Sequence, residues 1–468
     1  MDASSPVSTR KAELPLHILI VGCGIGGLTA AHCLGLAGHR ITILEAAEAL
    51  GEVGAGIQVS PNVTRLLTRW GLGQALAEIA VKPEAIVFRR YCTGERVGYS
   101  KWAEKMEIFG APYYHIHRAD FHKLLFDLAA PYMTLRLKST VVAVDPDEPS
   151  VTLASGEVVR GDLIVGADGV KSFIQRVVLG HVNPAQATGD AVYRALIPTA
   201  LMITDPDLKP LVDTPEMTGW MGPRRHIMGY NVRAKKAYNL VMAHPDDGSV
   251  ESWTAEGSAE KMRADFADFE PRIQKMMALV NSTLKWRLMD RQPLKTWIHK
   301  SARVILLGDA CHPMLVRSAL FACGICLQQL LQPYRAQGAA MAIEDAAVLG
   351  KLLSHLSSVV QLTPLLHAYE ALRLPRTAAT QASSRLNQTI FHLPDGPEQR
   401  ARDAAMHTAM EAELAGSTTD KGDGNPNQWA DQNKNEAQFG YDAEEVAERW
   451  WREVGERGIG ALEVQSRL

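Results

Sequence analysis

Gly22, Gly24 and Gly27 stand at G-x-G-x-x-G spacing, after the apolar run His17 to Val21 and before the Ala- and Leu-rich stretch Ile25 to Ala37. The chemistry this spacing serves is pyrophosphate binding. Gly22 permits a tight turn, Gly24 lets a phosphate approach the backbone, and Gly27 lets helix and strand pack closely. The helix start then offers unpaired N–H groups and a partial positive charge to the anion. Arg40 to Leu44 reads as a second strand and ends at Glu45, an acid placed to accept ribose hydroxyl hydrogen bonds. A glycine turn alone is weak evidence. Strand, glycines, helix, strand and terminal acid together point to a dinucleotide.

Further along, Gly51, Gly54 and Gly56 form a glycine-rich loop suited to close backbone approach to a flat ligand, and Pro61 starts a helix. Arg118 precedes an amphipathic helix that carries Phe121, Leu124, Leu125 and Leu128 on one face. Residues 133–165 alternate as strands do, and the last strand ends in Gly166-Ala167-Asp168-Gly169. Asp168 there can hold ligand hydroxyls or cap the helix bearing Ser172 and Arg176. A buried-strand pattern returns at 302–307 and ends in Gly308, Asp309, His312 and Pro313. A helix opens at Gly338 with its positive end free to face an anion, and Glu344 and Asp345 lie within it.

Between these stretches, Val192 to His244 has the pattern of an antiparallel sheet, a platform for a substrate. Its residues with acid–base or anion-pairing chemistry are Arg194, His226 and Tyr230. His226 and Tyr230 are four residues apart, which in a strand puts them on one face. Taken one at a time, each is more often a satisfied sheet residue than a catalyst. Residues 363–390 read as one more helix, 414–440 as a polar surface loop, and the chain closes with an amphipathic helix at YDAEEVAERWWREV.

The 468 residues, 46% hydrophobic and 22% charged, suffice for two or three domains. A formal net charge of -3 excludes a strongly basic nucleic-acid binder. The six scattered cysteines suit a reducing compartment. Residues 1–16 lack a signal-peptide core, and no apolar stretch reaches the ~20 residues of a membrane span. These point to a cytoplasmic protein. The terminal Ser466-Arg467-Leu468 is similar to the peroxisomal S-K-L address.

Three ordered signals, VGCGIGG with Glu45, the GADG strand end and GDACHP with the later helix at Gly338, resemble the class A FAD-dependent aromatic monooxygenases. GAGIQVSPN, HRADFHKLL, GPRRHIMGY, MAIEDA and GYDAEE are similar to the subgroup of fungal salicylate hydroxylase-like proteins and 6-hydroxynicotinate 3-monooxygenase. The resemblance implies an α/β fold of the para-hydroxybenzoate hydroxylase type. A discontinuous Rossmann-like FAD-binding domain would span 17–185 and 290–390, with an inserted antiparallel-sheet substrate domain at 186–289. Residues 1–16 would be a flexible N-terminus and 391–468 a C-terminal helical region. It further implies FAD, with NADH or NADPH as a transient co-substrate, O2, and a small aromatic substrate hydroxylated through a flavin C4a-hydroperoxide. Decarboxylative hydroxylation, epoxidation and dearomatisation stand as variants of that chemistry. Arg118 matches the arginine at the FAD phosphate–ribitol region, Asp309 the aspartate on the ribitol side, and Asp168 the aspartate that touches FAD and pyridine nucleotide. His226 and Tyr230 match substrate-site residues, His312 is a third candidate base, and Arg194 matches an arginine that pairs a carboxylate or phenolate. No metal is implied, and the assembly is a monomer or homodimer.

The chain departs from the family pattern after His312-Pro313. Removing Val316 to Gln332 leaves HPMLPYRAQGAAMAIEDA, which restores the family spacing. The segment starts with a GT-type codon and ends with a residue encoded by CAG, so it reads as a retained intron. The alternative is a true insertion over the flavin and an inactive FAD-binding homologue. Cys323-x-x-Cys326 lies wholly inside it and is discounted as a metal or redox pair. Ala336 replaces the usual family glycine.

Overall fold

The computed structural model describes residues 10–51, 54–102, 106–184, 186–248, 256–313, 337–416, 426–427 and 430–458. The segment 316–332 with Cys323 and Cys326, Ala336, and the terminal Ser466–Leu468 lie outside these residues.

Five strands form a parallel sheet in the order Val304–Leu306, Leu163–Gly166, His17–Val21, Arg40–Leu44, Met133–Arg136. The apolar runs of four of these strands are buried because helices cover the sheet, while Met133–Arg136 at its edge is only partly buried. His17–Val21 has Arg40–Leu44 on one side and Leu163–Gly166 on the other. The chain order thus reverses about this strand, and at such a switch point a crevice opens at the carboxyl ends of the strands. Gly22, Glu45, Ala167-Asp168 and Gly308-Asp309 all follow strand ends on that one edge. The helices Ile25–Leu36 and Gly338–Leu353 pack closely through small residues; a Cβ on Gly350 would meet that of Cys33 at 2.6 Å.

The second sheet has eight strands in the order Glu256–Gly257, Thr283–Asp290, Gln186–Pro198, Ala237–Pro245, Arg225–Val232, Glu216–Gly222, Ala85–Arg90, Arg96–Lys101. Its last two strands come from the stretch that the sequence assigns to the first domain. Ala85–Arg90 joins by pairing parallel with Glu216–Gly222. An apolar run such as Ala-Ile-Val-Phe signals a buried strand but not which sheet it enters. One face of this sheet buries Tyr193, Trp220, Ile227 and Tyr238 under the helices Ala259–Asp265 and Pro271–Ala278. The other face, with Met228 and Tyr230, packs with Phe391, Met406 and Phe439 from the C-terminal helices.

The helix Leu362–Phe391 links the two regions. Its Tyr369 hydroxyl donates to the Leu306 carbonyl at 3.0 Å, and Phe391 at its other end lies in the core of the large sheet. The expected loop 414–440 ends in a helix, Gln432–Phe439. Asp431 caps it by accepting from the Lys434 N–H at 3.0 Å, and Phe439 anchors it against Phe109 and Tyr113. Polar composition hid a helix held by its cap, by Phe439 and by Arg376, which donates to the Ala437 and Gln438 carbonyls at 3.0 Å each. No helix among the described residues is long and apolar enough to cross a membrane.

Candidate functional site

The glycines behave as three different parts. Gly22 has φ +104°, and a Cβ there would lie 2.5 Å from the Ala167 carbonyl oxygen. A Cβ on Gly27 would lie 2.1 Å from the Gly22 oxygen. At Gly24 a Cβ meets nothing within 4 Å, and Gly24 heads the helix Ile25–Leu36 with no side-chain cap. Two glycines are therefore filled by backbone and the third opens on free space at a helix N-terminus. That arrangement fits a dinucleotide pyrophosphate.

Glu45 closes the same turn. Its carboxylate accepts from the Cys23 N–H at 2.8 Å and the Ala47 N–H at 2.9 Å. Asp168 accepts from the Ser172 hydroxyl and from the N–H groups of Phe173 (2.7 Å) and Ile174 (3.1 Å). Of the two readings the sequence leaves open, the cap is the one made by these bonds. Burial raises its pKa and the bonds from Ser172, Ile174 and Phe173 oppose that rise. Replacing Asp168 with Ala is expected to cost about 1 kcal/mol of stability, measurable by chemical denaturation.

Arg118 heads the helix Arg118–Ala129, its N–H donating to the Ala55 carbonyl at 2.9 Å. Asp309 is exposed to solvent yet surrounded by protein, as a carboxylate on the wall of a crevice is. Its pKa is raised by burial and pulled back by His312 and Arg118. Gly338 starts the helix Gly338–Leu353 behind Gln337, whose amide donates to the Ser60 hydroxyl at 3.0 Å.

The large sheet supplies a second wall. Arg194 pairs with Val241, Met228 with Val241, and Tyr230 with Asn239, so these side chains share the face of His226. Gly56 joins this wall to the nucleotide region: its N–H donates to Asn239 Oδ1 at 2.7 Å, and a Cβ there would lie 2.7 Å from the Tyr230 ring. Arg194 lies over the Trp286 ring at 4.8 Å, and its buried Nε has no hydrogen-bond partner. Among the described residues no carboxylate pairs with it. Its pKa is lowered first by burial, with Tyr230 opposing and Arg118 adding to the shift. Tyr230, buried against His115, is pushed up to about 12 by burial, with Arg194 pulling it down. His226 is 1% exposed; burial and then His392 push its pKa well below the usual value.

His312 belongs to a different group of residues. Its Nε2 lies 2.5 Å from Asp345, and its buried Nδ1 has no partner among the described residues. Asp345 also accepts from the Gly308 N–H at 3.1 Å and from Arg373 Nε at 2.8 Å. Beside it Glu344 takes Arg373 at 2.7 Å, Arg376 at 2.6 Å and Asn62 at 2.6 Å. His312 thus anchors the strand end in a buried ion network, and this is where its candidacy as a base meets the geometry. Cys311, His312 and Asp345 lie close enough to hold a metal ion. Arg373 and the Gly308 N–H already satisfy the carboxylate, and the Cys311 thiol donates to the Gly308 carbonyl.

Sequence reasoning missed Trp286 beneath Arg194, Asn239 beneath Gly56, and the basic partners of Glu344 and Asp345. Only the last left a signal: two acids inside an otherwise apolar helix require cations.

Residues 16–320 match the family model described as FAD binding domain. The chain is 35% identical over 404 residues to the FAD-dependent monooxygenase OpS4 of Beauveria bassiana (strain ARSEF 2860), covering 85% of this chain and 91% of that protein. It is 32% identical over 404 residues to the 3-hydroxybenzoate 6-hydroxylase of Klebsiella oxytoca, covering 85% and 94%. The fold is that of a salicylate hydroxylase solved as a substrate complex, with TM-score 0.70 and 22% identity over 93% of this chain and 97% of that one. With the glycine turn, the parallel sheet and the antiparallel platform in place, the chain belongs to the FAD-binding-domain family of FAD-dependent monooxygenases, the flavoprotein aromatic hydroxylases.

Proposed function

We propose that the protein hydroxylates a small phenolic acid or related phenol, with NADH or NADPH as reductant and O2 as oxidant. The observation that carries this reading is Arg194: a buried guanidinium over the Trp286 ring with no carboxylate partner among the described residues, on the sheet face shared with His226 and Tyr230. An uncompensated cation of this kind is a receptor for an anionic substrate group. The names of curated relatives, a 3-hydroxybenzoate hydroxylase among them, support an aromatic acid as that group's carrier.

FAD fits the crevice, where Gly22, Gly24 and Gly27 would cradle its pyrophosphate, Glu45 its ribose, and Arg118, Asp168, Asp309, Gly56 and the helix start at Gly338 its remaining length. When bound and reduced, it supplies the activation of O2 that an aromatic ring needs. The chain's own residues do the rest. Arg194 pairs the carboxylate or phenolate and orients the ring. His226 takes the phenol proton, which raises the electron density of the ring. Tyr230, neutral at working pH, serves as a hydrogen-bond donor. Met228 and Val241 between them form the apolar floor.

The test is purified protein, its bound flavin, and NAD(P)H oxidation with salicylate, 3-hydroxybenzoate, hydroxynicotinate and resorcylate-type phenols. Stimulation by one of them, with a product heavier by one oxygen, supports the reading; loss of carbon dioxide as well marks decarboxylative hydroxylation. Flavin binding without stimulation by any of the phenols defeats it. Arg194→Met is expected to lower kcat/KM for the phenol roughly 10- to 100-fold, the loss of one charged hydrogen bond.

A further inference from the structure

His226 does not stand alone on its strand. Its Nδ1 lies 2.7 Å from Nε2 of His392, the residue that ends the helix Leu362–Phe391. Nδ1 of His392 lies 3.8 Å from the Asp190 carboxylate, on the strand Gln186–Pro198. Gln388 donates its amide to the same carboxylate, and the Arg224 N–H holds the His392 carbonyl at 3.0 Å. Among the described residues, the other charged groups facing this chain are the side chains of Arg224 and Asp246. Exposure rises along it, from His226 at 1% to 9% and 10% for the His392 and Asp190 side chains.

We infer that Asp190, His392 and His226 form a proton relay that fixes the tautomer of His226 and carries the substrate's phenolic proton out of the site. This rests on the reading of His226 as the base. An ionised Asp190 favours the proton of His392 on Nδ1, which leaves Nε2 bare. Nε2 then accepts the Nδ1–H of His226, and Nε2 of His226 is the nitrogen without a proton. When a phenol gives its proton to that Nε2, the Nδ1 proton of His226 passes to Nε2 of His392. The Nδ1 proton of His392 passes to the Asp190 carboxylate, and Asp190 releases it to water. Each step breaks one N–H or O–H bond and forms one, and neither imidazole has to store charge. That suits two histidines whose pKa values burial depresses, His392 to about 3 and His226 also well below normal. Burial lifts Asp190 to about 6 against the opposing Gln388 and Arg224, with Asp246 adding to the rise, so Asp190 is the terminal acceptor. The last transfer requires the 3.8 Å contact to close to hydrogen-bond length, as catalytic contacts do on loading.

The test is kcat of phenol-stimulated NAD(P)H oxidation from pH 5 to 9 on the FAD-loaded protein. The wild type is expected to lose rate as pH falls through about 6, where Asp190 takes up its proton. Asp190→Asn, with its FAD content unchanged as a check on folding, is expected to lower kcat 10- to 100-fold and to abolish that acid limb. His392→Gln keeps a carbonyl acceptor for the His226 Nδ1–H but cannot pass a proton on to Asp190, and is expected to lower kcat as far as Asp190→Asn and to lose the acid limb. His392→Phe fills the space and is expected to fall as far as Asp190→Asn. An unshifted acid limb in Asp190→Asn, or a His392→Gln variant with wild-type kcat and an unshifted acid limb, overturns the relay alone. A wild type that no phenol stimulates overturns the hydroxylase reading and the relay with it.

Discussion

Gly24→Val is expected to fold as the parent does and to bind no FAD. The Cβ meets nothing within 4 Å, so the protein itself has room for the side chain; the added methyls project into the space where a pyrophosphate would come. Gly27→Val is expected to fail differently. Its Cβ would sit 2.1 Å from the Gly22 carbonyl oxygen, and the helix Ile25–Leu36 would have to lift off the strand His17–Val21. Flavin absorbance together with thermal unfolding separates the two. The Gly24 variant should be colourless with a Tm near that of the flavin-free parent, and the Gly27 variant insoluble or unfolded. A yellow Gly24→Val protein would place the cofactor elsewhere.

Arg373→Met is expected to cost about 3–5 kcal/mol of stability, the range for removing one partner of a buried ion pair. Arg373, Glu344 and Asp345 are each 0% exposed. Removing the guanidinium leaves Asp345 with His312 and the Gly308 N–H, and Glu344 with Arg376 and Asn62. Adding Asp345→Asn to Arg373→Met removes the uncompensated charge and is expected to restore part of the loss. Chemical denaturation of the two variants checks this, and a single variant as stable as the parent would contradict it. The network also sets an acid limit. Burial alone would raise both carboxyls, yet Arg376 and Arg373 hold Glu344 low, while His312 and Arg373 hold Asp345 low. Folded values below the unfolded ones mean stability that is present above about pH 4. It is lost as pH falls through the depressed folded values.

The nucleotide half of the site was legible because its signals are local. Strand, glycine turn and helix between His17 and Leu36 fall where the apolar pattern puts them, since each glycine's task involves neighbours a few residues away. The shared edge of Asp168 and Asp309 was reachable through strand ends, which a parallel sheet must bring to one side, whereas Arg118 follows Tyr114–His117, a strand paired antiparallel with Gly56–Val59 in a separate two-stranded sheet. The partners of His226 were not. Asp190 and His392 lie in a strand and at a helix end roughly 200 residues apart, in segments with no pattern to single them out.

By itself the chain's order of residues determined the dinucleotide turn, the buried parallel strands and the shared face of His226 and Tyr230, because those follow from spacing along one element. Tertiary structure alone decided that Ala85–Arg90 joins the large sheet, that His312 belongs with Asp345, and that Arg194 rests on Trp286. The physical reason is that a side chain's charge partner and solvation depend on which elements pack against it, and packing is chosen by the whole core at once.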